Sequence, residues 1–145
     1  MNRCAQTMNH ATVLLAEDDP DLRELLAFCL FSQGYAVESF SQGLGLLERL
    51  QDHFDGRREP VDLIISDLRM PGLTGLEVLE SLCDRPDRPP VICITAFGDP
   101  ATHRQARRLG AAEVLDKPFD IDILLDRARR LCPPSGAYSK PRRES

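Results

Sequence analysis

Val61-Asp62-Leu63-Ile64-Ile65-Ser66-Asp67-Leu68-Arg69-Met70-Pro71-Gly72 is the stretch on which the fold turns. Four of the five residues from Val61 to Ile65 are apolar. That pattern suits a strand buried on both faces, as in a parallel sheet covered by helices. The run stops on Asp67, and Pro71 and Gly72 punctuate the turn that follows. Open α/β sheets place ligands outside the carboxyl ends of their strands, which is where Asp67 stands. A solubilising acid at a strand end would look the same locally, so Asp67 has to be judged together with the other strand ends.

The 145 residues are enough for one domain with a proper core. Lys and Arg total 18 against 23 Asp and Glu, a net charge of −5, which argues against direct nucleic-acid binding. No apolar run approaches the ~20 residues of a membrane span. The polar start from Met1 to Thr12 lacks the apolar core of a signal peptide. The five cysteines are Cys4, Cys29, Cys83, Cys93 and Cys132, an odd count with no close pair of metal or redox type. All but Cys4 fall at apolar positions and read as small buried hydrophobes in a reducing compartment, so the cytoplasm is the expected location.

Outward from the central strand, the chain alternates. Residues 1–11 read as a loose leader. Val13–Ala16 is a short apolar strand closed by Glu17-Asp18-Asp19, and Pro20 suits a first helical turn capped by Asp19. Leu22, Leu25, Leu26, Cys29 and Leu30 repeat at helical spacing up to Gly34. Tyr35–Phe40 is a second strand. Leu44, Leu47 and Leu50 predict a second helix, weakened by Gly43 and Gly45, and Gln51–Pro60 reads as a charged surface loop. After the central strand, Thr74 and Glu77 make a capping box for a helix carrying Leu76, Leu79, Leu82 and Cys83. Val91–Thr95 is the fourth strand. Asp99-Pro100 opens a fourth helix whose apolar face, Ala106 and Leu109, is thin. Val114-Leu115 is a brief fifth strand, and a last helix carries Ile121, Leu124, Leu125, Ala128, Leu131 and Cys132. Residues 133–145 read as a disordered tail or linker. Five strand–helix units in succession predict an α/β, flavodoxin-like (βα)5 three-layer sandwich with a five-stranded parallel sheet in the order 2-1-3-4-5.

In such a sheet Glu17, Asp18, Asp67, Thr95 and Lys117 all fall at strand ends of one polarity and should converge. Taken singly, each is ordinary: capping acids, a turn Thr, a solvated Lys. Taken together, three carboxylates in one crevice repel one another unless a cation lies between them. Oxygen-only ligands select a hard ion, and Mg2+ fits best. A carboxylate can act as a nucleophile toward phosphorus, with Lys117 and Thr95 as charge and donor for the phosphoryl oxygens.

With these residues in place, the sequence resembles the receiver domains of two-component response regulators, the CheY-like superfamily. The resemblance runs through Leu15-Ala16-Glu17-Asp18-Asp19, Ser66-Asp67-Leu68-Arg69-Met70-Pro71-Gly72, Ile94-Thr95-Ala96, and Gly110-Ala111-Ala112 leading to Lys117-Pro118-Phe119. It implies a receiver domain over residues 12–132. It also implies Glu17 and Asp18 as the acidic pair holding Mg2+ and Asp67 as phosphoacceptor and metal ligand. The Arg69 backbone carbonyl would complete the metal site, Thr95 would be the hydroxyl that turns to the phosphoryl group, and Lys117 the lysine that contacts it, with a cis Lys117–Pro118 bond. Arg69 and Phe97 are expected to tune removal of the phosphoryl group. The implied donor is a sensor histidine kinase or a histidine phosphotransfer protein. The implied recipient is a downstream protein or a covalently linked effector domain. Neither nucleic acid nor a membrane is a direct partner in this reading, and a phosphorylation-dependent dimer is among the assemblies it implies. Val114 stands where family members usually carry Tyr or Phe, so signalling is expected to rely on backbone and helix shifts centred on the thin fourth helix.

Three other readings are weaker. An aspartate-nucleophile phosphatase of the haloacid dehalogenase type would want an acid two residues after its nucleophile, where Arg69 stands. A degenerate receiver used as a constitutive binding module would be expected to lack Asp67, Lys117 or the acidic pair. A flavin-binding protein would need a Ser/Thr/Gly-rich phosphate loop after the first strand. The expectation is therefore a phosphorylation-dependent switch that assists its own phosphorylation and dephosphorylation, and not an enzyme turning over a free substrate.

Overall fold

The computed structural model describes residues 10–70, 72–96 and 99–134. Strand and helix alternate as β1 (Thr12–Ala16), α1 (Pro20–Ser32), β2 (Ala36–Phe40), α2 (Gly43–Phe54), β3 (Leu63–Asp67), α3 (Gly75–Leu82), β4 (Val91–Thr95), α4 (Pro100–Arg108), β5 (Glu113–Asp116) and α5 (Ile121–Leu131). All neighbouring strands pair in parallel, in the order β2-β1-β3-β4-β5. The doubly wound α/β sandwich read from the sequence is the fold found.

Every residue of β1, β3 and β4 is buried, because their side chains alternate between two apolar layers. Leu14, Ile64 and Cys93 face the layer of Leu46 and Leu50 from α2, Val78, Leu79 and Leu82 from α3, and Ala106 from α4. Val13, Leu15, Ile65 and Ile92 face the layer of Leu26 and Leu30 from α1 and Leu124, Leu125 and Ala128 from α5. Local chemistry starts the helices. The Asp19 side chain accepts the N–H groups of Asp21 and Leu22. Asp99 accepts that of Thr102 at 2.7 Å, and Thr74 and Glu77 form the expected capping box. The Lys117–Pro118 bond is cis, as the resemblance implied. Ala106 is the one buried residue of α4, matching its thin apolar face.

The structure corrects the reading in two places. Gln51–Phe54 is the last turn of α2, not a surface loop. Arg49 is buried because its Nε donates to Glu38 Oε1 at 2.9 Å and its Nη2 to the Glu59 carbonyl at 2.9 Å. His53 Nδ1 then accepts the Val61 N–H at 2.9 Å, so the helix end is tied to the approach to β3. Cys93 and Cys132 are buried as expected, but Cys29 and Cys83 are only half-buried. At the chain ends, the Ala11 N–H donates to the Pro134 carbonyl at 2.9 Å, and Ala11 itself is buried. Residues 1–9 and 135–145, most of the expected leader and tail, lie outside the described residues, as do Pro71 and Phe97.

Gly75 shows how closely α3 approaches the end of β3. A Cβ there would overlap the Asp67 carbonyl oxygen and sit 2.8 Å from Leu68 Cα. Both obstacles are backbone, so neither can swing aside. Gly75→Ala is therefore expected to destabilise the fold by about 1–3 kcal/mol in urea unfolding. Gly45→Ala meets only the edge of the Phe40 ring, and should change stability by less than about 1 kcal/mol.

Candidate functional site

The strand register brings the site together. Ala16 pairs with Ser66, Asp67 with Ile94, and Thr95 with Asp116. Glu17, Asp67, Thr95 and Lys117 thus stand at the carboxyl ends of four adjacent parallel strands. Short turns hold them there. The Glu17 N–H donates to the Phe40 carbonyl at 3.0 Å, and Arg23 Nη1 donates to the Glu17 carbonyl at 2.8 Å. The Asp19 N–H donates to Glu17 Oε2 at 3.0 Å. Asp19 therefore serves the helix and the turn, while Asp18 is exposed at the rim.

Asp67 is 3% exposed and Glu17 is fully buried. Asp67 Oδ1 accepts the Arg69 N–H at 2.8 Å, and Oδ2 accepts Lys117 Nζ at 2.7 Å. The same Nζ donates to Glu17 Oε2 at 3.2 Å and lies 3.0 Å from Oε1. The backbone N–H of Lys117 donates to the Thr95 carbonyl at 2.8 Å, so the lysine is anchored to β4 as well. Thr95 is buried beside a cleft of about 490 Å³ that Asp18, Arg69, Leu68 and Met70 also line.

Burial pushes the Glu17 carboxyl up to about 7, and the Asp67 charge adds to that. The Asp19 N–H and Lys117 hold it back only in part. For Lys117 burial acts downward, but the bonds to Asp67 and Glu17 outweigh it, so its pKa is raised and the ammonium is the stable form. One ammonium thus serves two buried carboxylates, with a third at the rim. Glu17 Oε1 is buried and makes no hydrogen bond. Oxygens of Glu17, Asp18 and Asp67 lie within 4.8 Å of one another. A buried Glu17 oxygen with the Lys117 ammonium 3.0 Å away but no hydrogen bond, in an all-oxygen donor set, fits a hard divalent cation.

The sequence reading missed two partners. His103 Nε2 donates to Asp116 Oδ1 at 2.8 Å, joining α4 to the residue before Lys117. Arg69 lies near enough to Asp99 to help lower its pKa, after the larger effect of the Thr102 hydrogen bonds. Neither pair has a local sequence pattern, since each joins residues from different strand–helix units.

Comparison with known proteins agrees with this geometry. The family model described as response regulator receiver domain matches residues 13–129. The transcriptional regulatory protein FixJ of Azorhizobium caulinodans is 39% identical over 119 residues, covering 81% of this chain and 53% of that protein. The C4-dicarboxylate transport transcriptional regulatory protein DctD of Pseudomonas aeruginosa is 39% identical over 118 residues, covering 81% of this chain and 24% of that protein. The chain therefore spans between a quarter and about half the length of these relatives. Among solved structures, the chemotaxis protein CheY4 of Vibrio cholerae superposes with a TM-score of 0.74 at 28% identity, over 85% of this chain and 99% of that one.

If a cation occupies the carboxylates, magnesium at a hundred times its Kd should stabilise the fold by about 2.7 kcal/mol over a chelator-treated sample. The readout is a higher Tm. Asp18→Asn, at the exposed rim, is expected to keep the metal-free Tm and lose most of that rise. An undiminished rise in this variant would place the cation elsewhere.

Proposed function

The chain belongs to the response regulator receiver family, and on that premise we propose that Asp67 accepts a phosphoryl group from a phosphohistidine and thereby switches partner contacts. The observation that carries the reading is the Asp67 carboxylate itself. It is buried and fixed by the Arg69 N–H and the Lys117 ammonium, and its neighbours Leu68, Arg69 and Thr95 line a cleft of about 490 Å³. Among the described residues, no His, Cys or Ser lines that cleft.

In the transfer, an Asp67 carboxylate oxygen attacks phosphorus. The P–O bond forms as the P–N bond breaks, and the electron pair stays on the departing imidazole nitrogen. Phosphoryl transfer depends mainly on positioning and charge stabilisation. Glu17, Asp18, Asp67 and the Arg69 backbone carbonyl would hold Mg2+, which supplies positive charge against the phosphoryl oxygens. Lys117, already within bonding distance of Asp67, shifts its ammonium to a phosphoryl oxygen. Thr95 donates its hydroxyl to another. Water later cleaves the acyl phosphate and resets the carboxylate, with Arg69 at the cleft influencing the rate. The output is the changed conformation, not a released product.

The phosphoryl donor in this reading is a sensor histidine kinase or a histidine phosphotransfer protein, and the setting is the cytoplasm. The receiver unit covers residues 12–132. FixJ and DctD are by name transcriptional regulators longer than this chain. The recipient is accordingly either an effector domain joined to the receiver or a separate downstream protein.

Incubation with acetyl phosphate and magnesium tests the chemistry. The chain is expected to gain one phosphoryl mass increment that is stable to acid and lost in base. Asp67→Asn, or removal of magnesium, should abolish it. Persistence of the increment in the Asn variant would remove Asp67 from its assigned role.

A further inference from the structure

α4 is weakly anchored. Ala106 is its one buried residue, and Asp99 caps its start through Thr102. Three of its arginines, Arg104, Arg107 and Arg108, are exposed. One side-chain link runs from its first turn straight toward the phosphoacceptor site. His103 Nε2 donates to Asp116 Oδ1 at 2.8 Å. Asp116 is the last residue of β5, and the next residue is Lys117. Lys117 Nζ bonds Asp67 at 2.7 Å and Glu17 at 3.2 Å, while its N–H holds the Thr95 carbonyl. From helix to phosphoacceptor the path is thus imidazole to carboxylate, one peptide step, and ammonium to carboxylate. Val114, the small buried residue of β5 on the α4 side of the sheet, provides packing but no polar contact along this path.

We infer that His103 is a positioning residue for Lys117 and, through it, the coupling between α4 and the state of Asp67. The inference rests on the phosphoacceptor reading above. With His103 in place, Asp116 is fixed at the strand end and the lysine stem starts from a defined point. When Lys117 follows a phosphoryl oxygen, the backbone at 116–117 is displaced and the His103–Asp116 contact carries the displacement into the first turn of α4. The pair is partly solvated, with side chains 25% and 54% exposed, so its own strength is modest. It matters because so little else holds that turn. Coupling of this kind is reciprocal for binding. A partner that grips the exposed arginine-bearing side of α4 therefore changes the affinity of the site for a phosphoryl group by the same factor.

Charged neighbours do not replace the link. Asp99 lies close enough to His103 to feel its charge, but it is engaged in capping. Arg127 pairs with Glu113 at 3.5 Å, at the other end of β5. Among the described residues, the His103–Asp116 hydrogen bond joins α4 to β5 at the end that carries Lys117.

The test is hydrogen exchange of the whole chain with and without beryllofluoride and magnesium, in the native sequence, His103→Ala and His103→Gln. In the native chain, beryllofluoride is expected to change exchange across α4 by roughly threefold, the scale of a single hydrogen bond. His103→Ala should lose most of that response and bind beryllofluoride roughly threefold more weakly. His103→Gln keeps an N–H donor and should retain both. Exchange in β4 should be the same in all three, which separates lost coupling from lost folding. A full α4 response in His103→Ala, no response in the native chain, or a Gln variant that behaves like Ala would each overturn the coupling while leaving the phosphoacceptor reading intact. Failure of the native chain to bind beryllofluoride would instead overturn that reading, and the coupling with it.

Discussion

Two buried carboxylates share one ammonium at the carboxyl end of the sheet, and the rest of the structure answers to that constraint. Removing Glu17 and Asp67 from water is costly unless charge and hydrogen bonds replace the solvent. Lys117 and the N–H groups of Asp19 and Arg69 do so only in part, leaving the Glu17 carboxyl pushed up to about 7. Such an arrangement is poor as a structural ion pair. It is well suited to a site completed by added positive charge and then by a phosphoryl group.

The architecture supplies the positions that this chemistry needs. Parallel pairing puts every carboxyl strand end on one edge, and the register sets Glu17, Asp67, Thr95 and Lys117 side by side. Close backbone approach at Gly75 folds the loop after Asp67 against α3, so the Arg69 N–H can hold the carboxylate. The two apolar layers make the sheet a rigid base. α4 is the exception. Its thin packing, with Ala106 its one buried residue, places it toward the low-stability end of the fold.

Much of this was legible in the sequence because it is local. Apolar runs marked the doubly covered strands, and Asp19, Thr74 with Glu77, and Asp99 marked helix starts within a few residues. The site residues were legible because the fold converts strand-end positions into neighbours. What escaped depends on partners far along the chain. The last turn of α2 looked like a charged loop because burial of Arg49 requires Glu38 from β2 and the turn at Glu59. Gly43 read as a weak helix residue, yet a Cβ there would overlap the Leu73 carbonyl. The bond between His103 and Asp116 spans 13 residues and leaves no periodic trace.

The central claim is that Asp67 is the atom-level destination of the phosphoryl group, with Glu17 and Asp18 serving charge alone. Reduction of the acyl phosphate with borohydride, followed by peptide mass mapping, marks the modified carboxylate as the corresponding alcohol. The account predicts conversion of Asp67 to homoserine, with Glu17 and Asp18 unchanged. Conversion at either of those acids, with Asp67 intact, would contradict it.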